Sequence, residues 1–263
     1  MPKSLKIYIF LLVLIFIGII WADATKERPI DWRESYSLNE KIPFGLYVFN
    51  QEHKAIFKPQ TVEKFSESPY EFLDKNYNTY DSIYDIEGTI LLIQNKAAID
   101  EYSENELFYF ASHRNAIFYS NSNFSQKFAD SLGFEIEYSN DFADSLQFKI
   151  NRNQKAGNFY FNKGINTAYF SKIDSSKTEV LGTQINSKGE EFANFIKVKH
   201  LNGNFYLHLQ PVAFTNYYLL NKNSQYAEDI LGYIPSKSPI YWKVNQYDNE
   251  ASSSSPTPYS LTQ

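Results

Sequence analysis

The sequence predicts an α/β protein: a mostly parallel sheet with flanking helices, a β-rich insertion and an N-terminal transmembrane helix. Three observations predict this class. Residues 7–21 contain no charged side chain. Residues 89–133 alternate between apolar runs of strand length and segments with helical spacing, which is typical of parallel strands joined by right-handed crossovers. Residues 134–210 hold short alternating segments with no helical repeat between them, which predicts the β-rich insertion.

Residues 1–22 are predicted to be a membrane anchor or a signal peptide. The apolar part, 7–22, would form a helix of roughly 24 Å, slightly short of the usual span of about 20 residues. Lys3 and Lys6 could snorkel at one end of it, with Trp21 at the other interface. Alternatively, the small residues around Ala24 fit a signal-peptide cleavage site, and a buried helix of a soluble protein is the third reading. We favour an uncleaved single-pass anchor with the globular part outside the cytoplasm, in the periplasm.

The remainder of the chain divides by composition and pattern. Residues 23–43 are charged, contain two prolines and predict a tether. Residues 44–133 and 211–248 predict the α/β core, which the insertion, 134–210, interrupts. Residues 249–263 are rich in Ser, Pro and Thr and predict a flexible tail.

Local signals place the elements of the core. The continuous apolar run at 89–94 is typical of a strand buried on both faces. Ser103 and Glu106 match a capping box, which predicts a helix start, and Gly133 is expected to end the next helix. The predicted elements are a helix from residue 44 to Pro59, strands 89–94 and 116–120, helices from Ser103, over 124–132 and over 217–231, and a strand 239–242.

The insertion contains a predicted hairpin with Asn202 and Gly203 at its tip, because Asn-Gly supplies the two positive φ angles of a type I′ turn. In that register His200 faces Phe205 on a largely apolar face. His208 lies on the opposite face, which we expect to be wet. The two histidines therefore cannot form a metal pair with each other.

Composition excludes several classes of function. The net charge is −5 and the basic residues are scattered singly, which argues against nucleic acid as a partner. The chain has no cysteine, so disulfides, thiolate metal sites and a cysteine nucleophile are excluded. No cofactor motif is present, and the four histidines do not have the spacing of a metal site. We therefore predict no cofactor and no metal.

The predicted fold offers one candidate site, at the carboxyl ends of two neighbouring strands. Asn95 follows the first strand, and Ser120, Asn121, Ser122 and Asn123 end and follow the second. These amides and hydroxyls could hold a small polar ligand or a sugar. Alternatively, Ser122 or Asn123 simply caps the next helix.

The carboxylates suggest a weaker alternative. Asp81, Asp85 and Glu87 are the nearest approach to an acidic cluster. A glycan hydrolase needs two carboxyl groups about 5–9.5 Å apart, which these residues could supply together with others. The competing interpretation is a solvated loop.

Several motifs resemble those of the DUF4350 proteins of Bacteroidetes-type bacteria. The resemblance extends over residues 28–248 and rests on Asp31-Trp32, Lys41–Tyr47 (KIPFGLY), Pro211–Asn216 (PVAFTN) and a later Ile-Tyr-Trp strand. It implies a sheet similar to flavodoxin and to class I glutamine amidotransferases. It also implies a membrane complex linked to gene clusters with a MoxR-type ATPase. Those amidotransferases use a cysteine nucleophile, which this chain lacks, and DUF4350 proteins often have a second membrane helix after the last strand.

Two functional hypotheses follow. The first is a membrane-anchored, extracytoplasmic and non-catalytic domain that binds protein partners or a polar envelope ligand. The alternative is a cell-envelope hydrolase of glycans or peptides that uses carboxylates. Two carboxylates, or a carboxylate and a histidine, in one cleft at the strand ends would favour the hydrolase.

Overall fold

The structure, a computed structural model, describes residues 2–26, 29–95, 99–139, 145–151, 158–221, 223–246 and 248. The chain forms two compact units, residues 1–32 and 33–263. The predicted tail, 249–263, lies outside the described residues.

The first unit contains helix α1, Lys3–Ala24. Its segment Ser4–Asp23 is 20 residues long with a mean hydropathy of 2.6, which is enough to cross a membrane. The predicted apolar helix is therefore confirmed, and it extends beyond the apolar run, 7–22, at both ends. A signal sequence near the N-terminus would have the same length and composition, so the helix is compatible with both an anchor and a leader.

The second unit contains the α/β fold. Its helices are α2 (Tyr47–Ile56), α3 (Pro69–Lys75), α4 (Glu101–Ser112), α5 (Gln126–Leu132), α6 (Asn216–Leu219) and α7 (Ser224–Leu231), and a 3-10 helix covers Pro211–Phe214. Its strands are β1 (Val62–Phe65), β2 (Tyr77–Asn78), β3 (Ile83–Tyr84), β4 (Thr89–Ile93), β5 (Ala116–Ser120), β6 (Phe134–Tyr138), β7 (Leu146–Ile150), β8 (Phe159–Phe161), β9 (Ala168–Ile173), β10 (Thr178–Ile185), β11 (Glu191–His200), β12 (Gly203–His208) and β13 (Ile240–Lys243).

One large sheet organises this unit, with the strand order β1-β13-β4-β5-β12-β11-β10-β7-β8. The first five strands are parallel to one another, which confirms the predicted parallel sheet. From β12 to β8 the neighbours are antiparallel, and β9 joins β6 to β11. The strands of 134–210 therefore extend the sheet of the core, and one of them, β12, lies in its parallel half.

Helices cover both faces of the parallel half. On one face, α2, the 3-10 helix and α7 pack on Phe118 and Trp242. On the other face, α3, α4 and α5 pack on Ile117 and Tyr119. All residues of β4 and β5 are buried, as expected for strands covered on both sides. The flanking helices that the sequence predicts are thus confirmed.

The caps of α4 and α5 differ partly from the prediction. The side chain of Asp100 accepts a hydrogen bond from the Ser103 backbone N–H at 3.0 Å, so α4 begins two residues before Ser103. The predicted capping box of Ser103 with Glu106 is therefore wrong, and Glu106 instead accepts a hydrogen bond from the Tyr84 hydroxyl. The end of α5 is confirmed: Gly133 has a left-handed φ of 75°.

The hairpin of β11 and β12 has a different turn from the one predicted. His200 pairs with Gly203, so Leu201 and Asn202 form the loop. A Cβ on Gly203 would lie 2.1 Å from a carbonyl oxygen of α4, so the glycine permits close packing of strand and helix. The expected wet face is also wrong: His208 is fully buried, because β12 lies between β5 and β11 beneath the helices.

The segment interpreted as a tether is partly packed. Tyr36 and Leu38 are 7% and 4% exposed and belong to the core beneath α2 and α7. The tether interpretation is therefore wrong for this half of 23–43, because its apolar side chains complete the core.

Candidate functional site

The topology identifies the position at which an open α/β sheet normally binds a ligand. After β5 the chain crosses to the face covered by α5, whereas after β12 it crosses to the face covered by α7. Connections that leave neighbouring strands on opposite faces create a crevice at the carboxyl ends of those strands. The ends of β5 and β12 therefore form the switch point of this sheet.

Four buried polar side chains form a connected cluster at this switch point. Ser120 and His208 are paired in register, and Ser120 Oγ lies 2.8 Å from His208 Nδ1. On its other side, His208 Nε2 lies 3.2 Å from the Tyr226 hydroxyl of α7. Asn194 Nδ2 donates to the same hydroxyl at 3.2 Å. We call Ser120, His208, Tyr226 and Asn194 the switch-point cluster.

Burial sets the chemistry of this cluster. All four side chains are 0% exposed. Loss of hydration lowers the pKa of His208 to about 3 and raises that of Tyr226 above its ordinary value. The imidazole is therefore neutral at physiological pH, with both ring nitrogens engaged. Ser120 ends a buried strand, so its hydroxyl is not presented to solvent as a serine nucleophile would be.

The predicted site residues belong to a second buried network. The Tyr119 hydroxyl accepts hydrogen bonds from Gln94 Nε2 at 2.7 Å and from Asn121 Nδ2 at 2.9 Å. Burial raises the pKa of Tyr119 to about 12. Ser122 Oγ donates to Asn95 Oδ1 at 2.6 Å. The structure thus brings Asn95 and Ser122 together, and holds Asn121 against Tyr119.

Asn95, Ser120, Asn121, Ser122 and Asn123 differ in accessibility. Ser120 and Asn121 are 0% exposed and Ser122 is 3% exposed, whereas Asn123 is exposed and Asn95 is half-buried. The alternative role of Ser122 or Asn123 as a helix cap is wrong, because the residue that caps α5 lies further along the chain. The buried members satisfy internal hydrogen bonds in this conformation.

Side chains from the predicted insertion cover the switch point. The Tyr138 hydroxyl donates to the backbone carbonyl of Ser122 at 3.0 Å. Asn166 Nδ2 donates to the Leu209 carbonyl, and Gln210 Nε2 donates to the Asn166 carbonyl at 2.7 Å. Protein groups therefore occupy part of the crevice expected from the topology, and a depression of about 310 Å³ that Asn123 and Tyr138 line lies beside them.

Described residues on the α7 face line a small cavity and a larger depression. A cavity of about 150 Å³ lies at the ends of β4 and β13, where Glu34, Asn95 and Lys243 line it. The Glu34 carboxylate there accepts a hydrogen bond from Asn95 Nδ2. A larger depression of about 600 Å³ lies between α2 and α7. We call this second depression the helix groove.

The carboxylates of the hydrolase alternative do not share a cleft. Asp81, Asp85 and Glu87 are all exposed. Glu87 borders an open depression that His113 also lines. This depression lies at the amino ends of β4, β5 and β12, opposite the edge at which the topology places a ligand. It contains a single carboxylate among its described lining residues, whereas acid/base hydrolysis of a glycan needs two.

No group of three or more His, Asp or Glu side chains able to hold a metal ion occurs among the described residues. Near the switch point, the Glu104 carboxylate instead accepts a hydrogen bond from Ser125 Oγ at 2.8 Å. Burial raises the pKa of Glu104, although the hydrogen bond from Ser125 opposes this shift.

Sequence reasoning included Ser120 among the candidate site residues but missed the other three members of the switch-point cluster, His208, Tyr226 and Asn194. Its members come from β5, β11, β12 and α7, and nothing local connects them. One sequence feature could have indicated the burial of His208. Parallel strands inside a sheet are buried along their whole length, so the last residue of such a strand is expected to be buried as well. Knowledge of the strand order was needed to pair His208 with Ser120.

No family model and no curated protein matches the chain. Among solved structures, an exo-beta-1,4-mannosidase, Op5Man5 from Opitutaceae bacterium strain TAV5, is similar at 12% identity over 57% of this chain and 25% of that chain (TM-score 0.40). A GH42 beta-galactosidase from G. stearothermophilus is similar at 9% identity over 53% of this chain and 22% of that chain (TM-score 0.34). A cytoplasmic protein from Salmonella typhimurium is similar at 10% identity over 66% of this chain and 71% of that chain (TM-score 0.32). The chain thus spans about a quarter of the length of the two glycosidases. At these TM-scores the similarities bear on neither fold family nor activity.

Proposed function

We propose that this protein is a non-catalytic, single-pass membrane protein whose globular unit lies outside the cytoplasm and binds a protein partner. The proposal includes a DUF4350-like identity and a sheet of the flavodoxin or class I glutamine amidotransferase type. It also includes membership of a membrane complex linked to a MoxR-type ATPase.

The state of the switch point supports a non-catalytic role. Ser120, Asn121, His208 and Gln210 have no exposed surface there, and each makes hydrogen bonds to other protein groups. A neutral, enclosed histidine cannot exchange a proton with a substrate that it does not reach. Buried polar networks of this kind stabilise one arrangement of the core.

The accessible surface supports a protein rather than a small polar molecule as the ligand. The helix groove has about four times the volume of the cavity beside Asn95. Apolar side chains of α2 and α7 line it together with exposed charged residues, among them Glu52 and Glu228. Interfaces between proteins commonly combine an apolar centre with a polar rim.

The apolar helix supports the location. A segment of 20 residues with mean hydropathy 2.6 would hold the chain in a bilayer if it is not cleaved. An uncleaved helix of this length would tether the folded unit to the membrane, and the proposal places that unit on the periplasmic side.

Fractionation and affinity purification of the C-terminally tagged full chain test the proposal. We expect the protein in the membrane pellet after alkaline carbonate washing, with its N-terminal residues retained and its body accessible to protease from outside. A partner should co-purify in constant proportion after mild detergent extraction. Recovery from the soluble cytoplasmic fraction, or co-purification of nothing from intact membranes, would contradict the proposal.

Assays with chromogenic glycosides and peptides test the non-catalytic part. We expect no turnover that depends on the exposed carboxylates. Hydrolysis that is lost in both Asp81→Asn and Glu87→Gln, while a surface control such as Asp74→Asn remains active, would establish the hydrolase instead.

A further inference from the structure

We infer that the helix groove is the docking site for a short amphipathic helix whose apolar stripe is bordered by Lys or Arg side chains. This inference rests on the proposed function and specifies the chemistry of the protein partner. Three properties of the groove lead to it: the spacing of its walls, its apolar floor and the charge of its rim.

The walls have the periodicity of helices. On α2, the lining residues Val48, Glu52 and Ala55 follow one another at intervals of four and three residues. On α7, Ser224, Glu228 and Leu231 do the same. Successive rows are therefore about one helical turn, or roughly 5.4 Å, apart. Grooves with this spacing accept side chains at positions i, i+4 and i+7 of a third helix.

The groove has accessible apolar residues above a buried base. Phe57, Leu231 and Ile234 line the groove but are almost completely buried beneath it. Ala55 is exposed, and Ile56 and Leu219 are half-buried, so these three provide the apolar surface that a partner can reach. Burying such surface against the apolar stripe of a helix contributes roughly 25 cal/mol per Å² before the entropic costs of association.

The rim is predominantly acidic. Glu52 and Glu228 are exposed and Asp229 is half-buried, whereas Lys58 is the single basic residue among the described lining residues. Asp229 Oδ1 also accepts a hydrogen bond from Gln225 Nε2 at 3.0 Å, which fixes its position. Three carboxylates against one ammonium favour a partner with Lys or Arg beside its apolar stripe.

The same features disfavour other occupants. The described lining residues lie in helices and turns, so the groove offers no strand edge to which an extended peptide could add. A second copy of the chain would bring an identical acidic rim to the groove, and the whole chain already has a net charge of −5. A basic helix of about ten residues matches the length of α2, which is roughly 15 Å.

Fluorescence anisotropy with three designed 16-residue helical peptides tests the inference. The first has Leu at i, i+4, i+7 and i+11 with flanking Lys, the second has flanking Glu, and the third keeps Lys but replaces Leu with Gln. The full chain is held in phosphatidylcholine nanodiscs, and empty nanodiscs measure binding to lipid. We expect the Lys-flanked Leu peptide to bind at least tenfold more tightly than either of the others.

Variants of the groove give the decisive comparison. Ala55→Trp should fill the groove and weaken binding of the Lys-flanked peptide at least tenfold, whereas Ser131→Trp on α5 should not. The double variant Glu52→Lys/Glu228→Lys should reverse the preference and bind the Glu-flanked peptide. Asp74→Lys on α3 should leave the preference unchanged. Circular dichroism checks that each variant is folded.

Other results would overturn the inference. Equal binding of the Gln peptide, or an equal effect of Asp74→Lys and Glu228→Lys, would show general electrostatic attraction. Self-association through the groove would appear as a dimer that Ala55→Trp dissolves. If a partner co-purifies equally with the wild type and with Ala55→Trp, the docking inference fails while the proposed binding function stands. Cytoplasmic recovery or carboxylate-dependent hydrolysis would reject the proposed function instead.

Discussion

Replacing His208 with Gln tests the assignment of a neutral, enclosed imidazole at the switch point. Burial is the cause that lowers the pKa of this histidine from 6.5 to about 3. The rings of Phe195, Phe214 and Tyr226 surround it, and its hydrogen-bond partners are uncharged hydroxyls. Glutamine keeps a neutral polar side chain of similar size and removes the titration.

The expected magnitude follows from linkage between protonation and folding. The unfolded chain takes up a proton on this side chain below pH 6.5, whereas the native protein does so only near pH 3. Native stability is therefore complete above about pH 6.5 and falls as the pH decreases toward 3. At about 1.4 kcal/mol per pH unit, protonation of His208 in the unfolded chain should lower the free energy of unfolding by roughly 2 kcal/mol between pH 7.5 and pH 5.

Urea unfolding of the full chain in a nonionic detergent, followed by tryptophan fluorescence, measures this difference. Between pH 7.5 and pH 5, the free energy of unfolding of the wild type should fall by about 2 kcal/mol more than that of His208→Gln. His113→Gln, at the end of α4, is the matched control and should retain the wild-type dependence. Burial also lowers the pKa of His53 and His200, so the difference between variants is the informative quantity. Parallel pH profiles of wild type and His208→Gln would refute the reasoning.

Four further outcomes follow from the structure. Asp100→Ala removes the hydrogen bond to the Ser103 N–H at the start of α4 and should lower the free energy of unfolding by about 1 kcal/mol, measured by urea unfolding. Gly203→Ala would place a Cβ within 2.2 Å of two backbone carbonyl oxygens and should cost about 3 kcal/mol or abolish folding. Gly189→Ala, which has open space and a φ of 82°, should cost about 1–2 kcal/mol in the same assay. Leu14→Arg in α1 costs about 3 kcal/mol of insertion free energy at a helix centre and should shift the protein out of the carbonate-resistant membrane fraction; an unchanged fraction would contradict a spanning helix.

Local signals predicted many elements of this fold. The apolar run at 89–94 and the helix end at Gly133 depend on neighbours within one or two turns, and both are confirmed. Strand order depends on contacts far apart in sequence. The predicted last strand became β13, which lies between β1 and β4, and no local pattern specifies that position.

The hairpin shows that a glycine expected in a turn can instead be required for close packing of a strand against a helix. Asn202 and Gly203 have the composition of a type I′ turn, yet the turn falls one residue earlier, at Leu201 and Asn202. Gly203 lies instead where the strand passes against α4 and leaves no room for a Cβ. A packing requirement of the tertiary structure thus displaced the local preference.

The predicted site residues lie at the carboxyl edge of the sheet, as expected, but Ser120, Asn121 and Ser122 are buried there, which the sequence did not predict. Asn95 and Ser122 lie together there, and Asn121 binds Tyr119. Tyr138 and Asn166, from the predicted insertion, cover this edge. Sequence alone gives no indication of which strands of an insertion return to cover the core.

The central position of β13 has a consequence for the order of synthesis. Until Ile240–Lys243 leave the ribosome, β1 and β4 lack the strand that separates them, and β12 itself follows more than 80 residues after β5. The parallel layer therefore cannot close before residue 243 has been made. Until then β1 and β4 lack a neighbouring strand, and incompletely paired apolar strands of this kind are prone to aggregate during synthesis.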